Sequence, residues 1–239
     1  MQTLKFEPSS AECQHVARPP VAAKNYIPDW FKNIKSVDRT KPQFNDQGMQ
    51  INTNIKMCMP FLDTFTTGYI QETWCDIYIN VGLDDNGNYT VDTGYPTGPD
   101  IISYRKKPTM LSISDEYFPI EFIWLEHWVP IAPNGYSILH THPLNRLDLP
   151  FMSLSGIVDS DVYSHESAGA YPFFLKKEFN GKIIPAGTPM FQMIPVKRES
   201  WQSQPLEFNE VESMKKRQSI RKYIYDGYRN HFWQKKDYR

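Results

Sequence analysis

The chain is poor in cysteine, carries almost no net charge and has no long apolar run. Its three cysteines, Cys13, Cys58 and Cys75, are an odd number without a C-x-x-C pair. That argues against a disulfide framework and a thiolate zinc site and fits a reducing compartment. Twenty-six Lys and Arg stand against 27 Asp and Glu, a formal charge of -1, so no global field points to a nucleic-acid coat. No apolar stretch approaches the roughly 18 residues of a membrane helix. Met1 to Pro20 also lacks the apolar core of a signal peptide. The expectation is a soluble protein, neither secreted nor membrane-bound. Internal repeats, low-complexity segments and βαβ alternation are missing too, which excludes tandem modules and a parallel α/β fold.

What is present is buriable surface. Hydrophobic residues make up 40% of the 239 and aromatics 14%, too much for a disordered chain. At roughly 150 residues per domain, the length allows one large domain with appendages. The charge is unevenly spread. From Met214 to Arg239, nine basic residues stand against Asp226 and Asp237, a local charge of +7 that leaves -8 on the remainder.

Three segments follow. Residues 1–54 are rich in breakers and read as a strap with one short helix. There Pro28 presets the first turn, Asp29 suits the positive helix end, and Trp30 and Phe31 are carried onto a core. Residues 55–200 read as an all-β barrel or sandwich. Strands are expected at Ile55–Met59, Tyr69–Val81, within Phe118–Pro130, and at Tyr136–His140, Phe151–Val158, Tyr171–Leu175, Lys182–Ile184 and Met190–Pro195. Asp84-Asp85-Asn86-Gly87-Asn88 is a hairpin turn rather than a calcium loop, because the Glu an EF-hand loop needs is absent. Residues 201–239 read as a basic amphipathic helix from Asn209, with Val211, Ile220, Ile224, Tyr228 and Phe232 on one face and a bend at Gly227. Tyr223, Tyr228, Phe232 and Trp233 are its partner-contact candidates. Interleaved with Lys and Arg, they also suit a nucleic-acid backbone.

The sharpest local chemical signal is His140-Thr141-His142. Two His two apart on a strand point the same way and can share a metal, with His127 and His165 as further ligands. The plainer reading is a pair of satisfied structural His. A cupin site would add a Glu after H-x-H and a His after its P-x-G turn, but no Glu follows His142 and Met190 follows Pro185-Ala186-Gly187. His140, His142, Asn145, Arg146 and Gln192 are the ligand-contact candidates. Asp159 and Asp161 are turn residues on the plain reading and water-orienting carboxylates on the functional one, together with Asp76. Arg146 is expected to bond Asp159 or Asp161, neutralising that carboxylate and holding its turn.

Pro133-Asn134-Gly135-Tyr136, then Gly156-Ile157-Val158-Asp159-Ser160-Asp161, then Ile184 to Ile194 resemble, in order and spacing, the β-clip fold of the dUTPase and dCTP deaminase group. Trp74-Cys75-Asp76-Ile77 resembles an early segment of those enzymes. The resemblance, over about residues 69 to 196, implies trimers and, for an active member, nucleotide chemistry with Mg²⁺. Three departures weigh against activity. The Arg-Ser-Gly phosphate cradle is replaced by Thr141-His142-Pro143-Leu144-Asn145-Arg146, the glycine-rich C-terminal arm by the basic helix, and the Tyr-Arg-Gly after the aspartates by Val162-Tyr163-Ser164.

The longer phrases Ile27-Pro28-Asp29-Trp30-Phe31-Lys32, Cys58-Met59-Pro60-Phe61-Leu62-Asp63 and Ile194-Pro195-Val196-Lys197-Arg198-Glu199-Ser200-Trp201 are similar to an uncharacterised family of tailed phages, including those of cyanobacteria. The expectation is a non-enzymatic phage protein of the host cytoplasm or virion, acting through self-association or contact with other phage proteins and needing no cofactor. The alternative is a nucleotide-binding or nucleotide-hydrolysing protein with a remodelled pocket.

Overall fold

The computed structural model describes residues 2–36, 43–46, 48, 54–105, 111–163, 169–221 and 227–239. Among these, fourteen strands form four antiparallel sheets. The strands are β1 (Lys5–Pro8), β2 (Val21–Ala22), β3 (Tyr69–Glu72), β4 (Ile77–Leu83), β5 (Tyr89–Gly94), β6 (Ile102–Tyr104) and β7 (Phe122–Leu125), followed by β8 (Trp128–Ile131), β9 (Tyr136–Thr141), β10 (Phe151–Ser153), β11 (Gly156–Val158), β12 (Ala170–Leu175), β13 (Lys182–Ile184) and β14 (Pro189–Lys197). The sheets run β11-β9-β14-β3-β2, β10-β12-β7-β6, β13-β4-β5 and β1-β8. The chain is therefore mainly β, as its short, turn-bounded apolar runs imply.

One core joins the three larger sheets. Trp124 of β7 stacks on Phe173 of β12, with ring centres 4.0 Å apart, and meets Phe151 of β10 edge-on at 5.0 Å. Ile77 and Ile79 of β4, Ile138 of β9, Ile184 of β13 and Met193 of β14 close the same core. The period-2 pattern of the sequence survives here, since Cys75, Ile77, Ile79 and Val81 are buried while Tyr78 is exposed.

Two expected strands are each divided between sheets. Tyr69–Val81 breaks at Thr73–Asp76, sending β3 and β4 to different sheets, and Phe151–Val158 breaks at Leu154-Ser155 into β10 and β11. A third expectation is overturned, because Ile55–Met59 is not a strand. A 3-10 turn over Ile55–Met57 runs into a helix over Met59–Thr66. Asn54 caps the turn by accepting the Lys56 N–H, and Pro60 sits in the helix's first turn, where its missing N–H costs nothing. Phe61 and Phe65, one helical turn apart, pack on each other at 5.3 Å and on Phe31 at 5.8 and 4.9 Å. Local helical spacing outweighs an apolar run too short to decide its own period. Gly68 then lets the chain enter β3, with φ +73° and its Cα packed against the Met193 carbonyl.

The first segment is sewn to the body by β1 pairing with β8 and β2 with β3. Its helices cover Ala11–Val16 (α1) and Asp29–Asn33 (α2), so the Met59–Thr66 helix is α3. Pro28 lies one position before α2, as its cap. Phe31 is buried as expected, whereas Trp30 is partly exposed.

The last segment departs from expectation. It forms α4 (Glu210–Arg221), started by Asn209 accepting the Glu212 N–H at 3.1 Å, and α5 (Gly227–His231). Residues 222–226, with Tyr223 and Ile224, lie outside the described set. Among the described side chains of the expected apolar face, Val211, Tyr228 and Phe232 are exposed rather than laid on the body. Two apolar residues, Val211 and Met214, in the first two turns of α4 are too few to hold a charged helix down. The attachment comes later. The Trp233 indole N–H donates to both oxygens of Asp63 at 3.0 Å, Lys236 joins the same carboxylate at 2.6 Å, and Tyr238 meets Tyr69 edge-on at 5.8 Å. No helix among the described residues is long and apolar enough to cross a membrane.

Candidate functional site

The loop after β9 contains most of the expected ligand contacts, and each is tied to backbone, to the strap or to the Met59–Thr66 helix. His142 Nδ1 accepts the Ser153 N–H at 3.2 Å and Nε2 donates to the Arg146 carbonyl at 3.0 Å. Both ring nitrogens are thereby used, and burial pushes its pKa below the ordinary value. Asn145 adopts φ +60°, which its short amide tolerates, and donates to the Thr64 hydroxyl at 2.6 Å. Buried Gln192 accepts the Leu144 N–H at 2.8 Å and donates to the Thr64 and Thr67 carbonyls at 3.0 and 2.5 Å. This set clamps α3 to β9 and β14.

Arg146 does not reach Asp159 or Asp161. It forms a two-pronged pair with Asp148 at 2.9 Å and donates to the Tyr26 carbonyl at 3.1 Å, facing the strap. The left-handed Asn145 redirects the chain just before it. Arg198, just past β14, takes the expected role. It pairs with Asp161 through two nitrogens and lies 3.3 Å from Asp159. Asp161 also accepts the Gly135 N–H at 2.8 Å, and Asp159 accepts the Ser137 hydroxyl at 2.6 Å. The hydrogen bond from Arg198 chiefly holds the Asp161 carboxyl down to about 2. The turn is held and its carboxylates neutralised, with a different arginine. Asp76 is elsewhere, capping the Pro185-Ala186-Gly187 turn through the Ala186 N–H at 2.7 Å. The three aspartates share no site.

The two histidines of His140-Thr141-His142 diverge. The His140 ring stacks on Tyr171 at 4.2 Å and meets Phe191 edge-on, whereas His142 meets Phe151. His127 is engaged by Gln71 at 3.3 Å and the Asp100 carbonyl at 3.1 Å. His165 lies outside the described residues. Among the described residues, no group of three His, Cys, Asp or Glu is placed to hold a metal ion.

His140 instead belongs to a buried triad. Its Nε2 lies 2.9 Å from the Tyr171 hydroxyl and 3.4 Å from Glu126 Oε1, and the Tyr171 hydroxyl is 3.3 Å from the same oxygen. Glu126 Oε2 accepts the Gly169 N–H at 3.1 Å. Burial and the adjacent carboxylate push the Tyr171 phenol far above its ordinary value. Nδ1 of His140 is buried and has no hydrogen-bond partner among the described residues. The sequence singles out His140, whereas Glu126 falls within the expected strand region Phe118–Pro130 and Tyr171 at the start of the expected strand Tyr171–Leu175. The available signal is the pair of carboxylates, Glu121 and Glu126, inside the apolar run from Phe118 to Pro130, each of which a buried strand must satisfy.

The second candidate feature is a surface. From Glu199 to Gln218 nearly every residue is exposed, and Trp201, Leu206 and Phe208 stand 86, 86 and 78% exposed within eight residues. This arm leaves the body at Arg198, which is pinned to Asp161, and returns at Trp233, which is pinned to Asp63. Compared with protein-family models, with curated proteins and with solved structures, the chain matches none.

Proposed function

We propose that the protein works by assembly, packing its C-terminal arm on neighbouring copies, as a non-enzymatic component or assembly partner of a phage particle. The carrying observation is the trio Trp201, Leu206 and Phe208, presented on an arm whose two ends are anchored. Charge supports a copy of the same chain as the occupant, since the segment from Met214 carries +7 and the remainder -8. The cradle for the returning tail, Asp63 and Tyr69, exists on every copy, so the tail can be exchanged as well as the arm. Full burial of each of the three side chains is worth roughly 1.5–3 kcal/mol, so a reciprocal pair of arms gains about 9–18 kcal/mol. That is of the same order as an association cost of about 4–15 kcal/mol and exceeds it over most of that range.

The phage setting rests on the resemblance of the long sequence phrases. A β-clip body is supported by the adjacency of β11, β9 and β14, which carry the resembling segments, and with it a trimer or larger assembly. The nucleotide reading draws less support, because Arg198 occupies Asp159 and Asp161 while Gln192 is fully engaged by α3 and Leu144. Light scattering on the full chain tests the proposal. Wild type should run as an oligomer, and Trp201→Ser, Leu206→Ser and Phe208→Ser together should give a monomer with an unchanged melting temperature for the body. A wild type that stays monomeric at high micromolar concentration refutes it.

A further inference from the structure

Above the Glu126 triad, away from the arm, lies a cavity of about 290 Å³. At about 30 Å³ per water-sized group, it has room for roughly ten non-hydrogen atoms. Val129 and Pro130 of β8, Val158 of β11 and Ala170 of β12 form apolar walls, with Tyr163 and Tyr171 as aromatic ones. Among the described residues that line it, Glu126 is the acidic one, and its side chain is 2% exposed.

The charge balance of this floor is incomplete. Glu126 accepts from Gly169 at Oε2 and from Tyr171 at Oε1, which leaves lone pairs on both oxygens. Among the described residues no Lys or Arg pairs with it. His140 is the nearest nitrogen base, and its Nδ1 has no hydrogen-bond partner among the described residues, so an N–H there would be buried with no acceptor. Its Nε2 lies closer to the Tyr171 hydroxyl, at 2.9 Å, than to Glu126 Oε1, at 3.4 Å. A buried carboxylate without a counter-ion is costly, and a cation entering from the cavity removes that cost. The apolar walls call for a hydrocarbon body behind the cation, and the tyrosine rings suit an ammonium group. An anion would face Glu126 directly, so phosphates and carboxylates are excluded.

We propose that this cavity binds small primary alkyl- or arylalkyl-ammonium ligands, with Glu126 as their counter-charge. The inference is independent of the assembly proposal. The test is a thermal-shift and calorimetric comparison of n-butylammonium and phenethylammonium with 1-butanol, 2-phenylethanol and butyrate at equal ionic strength, on the full chain. An amine at ten times its dissociation constant should raise the melting temperature by roughly 3–5 °C, and the alcohols and the acid should not. Glu126→Gln, which keeps an acceptor for the Gly169 N–H and turns its amide NH₂ toward the Tyr171 hydroxyl oxygen, should abolish the shift. Val158→Trp, which keeps the carboxylate and fills the cavity from the edge strand, should abolish it too and decides the case if Glu126→Gln does not fold. No shift with either amine at its solubility limit overturns the proposal. An equal response to the alcohols, or an undiminished response in a folded Glu126→Gln protein, does the same.

Discussion

Replacing Gln192 by leucine separates a structural clamp from a ligand contact. The side chain is 2% exposed, and its three hydrogen bonds, to Leu144, Thr64 and Thr67, are the polar link between β14, the loop after β9 and the C-terminal turn of α3. Leucine keeps roughly the volume but strands one N–H and two carbonyls. Each buried unsatisfied group costs about 1–3 kcal/mol, and these backbone groups sit in half-buried residues, so the low part of that range applies and the total is about 4 kcal/mol. For a chain of this size, that lowers the melting temperature by roughly 8–16 °C. Gln192→Glu should be worse at neutral pH, because its carboxylate faces two carbonyl oxygens. That arrangement raises its folded-state pKa, so its deficit should shrink as pH falls toward the ordinary glutamate value of about 4.3. Urea unfolding followed by tryptophan fluorescence gives both numbers. A Gln192→Leu protein melting within about 2 °C of wild type, a difference of only about 0.5–1 kcal/mol, refutes the clamp.

Gly68→Ala should not accumulate as folded protein, because its Cβ would lie 2.2 Å from the Met193 carbonyl oxygen. Gly87→Ala, with open space around it, should fold by circular dichroism and lose only about 1 kcal/mol to its positive φ. Arg198→Gln should flatten the acid limb of the stability curve. Asp161 is held from an ordinary 3.8 down to about 2, so the pair's contribution is complete above pH 4 and is lost as pH falls through 2, which acid titration by fluorescence reads directly. Native protein at pH 8 should show one fast thiol toward a disulfide reagent and three after denaturation. Cys58 is exposed, Cys13 and Cys75 are buried, and burial pushes the Cys75 thiol up to about 11; three fast native thiols would contradict this packing.

The strands of the body are legible because a half-buried strand writes its own period. Ile77, Ile79 and Val81 alternate whatever their neighbours are, and Pro, Gly and Asp mark where each run stops. What is not legible is the sheet a run joins. Phe151–Val158 has the composition of one strand, yet Leu154 donates to Pro172 and the chain then crosses to pair with β9. The helix at Met59–Thr66 escapes a strand reading because its defining contacts, Phe61 and Phe65 on Phe31, come from a segment roughly thirty residues earlier. Arg146 fails for a related reason. The expected partners are Asp159 and Asp161, and the pairing with Asp148 instead depends on the left-handed Asn145 just before it.

The segment Gly156 to Asp161 shows why the resemblance and the cavity point to different residues of the same phrase. Side chains of successive residues in extended chain alternate between faces. Val158 and Ser160 line the cavity over Glu126, whereas Asp159 and Asp161 turn outward to Ser137, Gly135 and Arg198. Reading the aspartates as the chemical group places the site on the outer face, where a guanidinium already closes it. The inner face carries only an apolar residue and a serine from this segment, so nothing in the phrase itself announces a pocket. The polar group that matters there comes from Glu126, thirty residues earlier, and its neighbours Tyr171 and His140 come from two further strands in two different sheets. A buried carboxylate with two donors and, among the described residues, no Lys or Arg beside it is expensive to keep for packing alone. An apolar residue would serve the core at least as well.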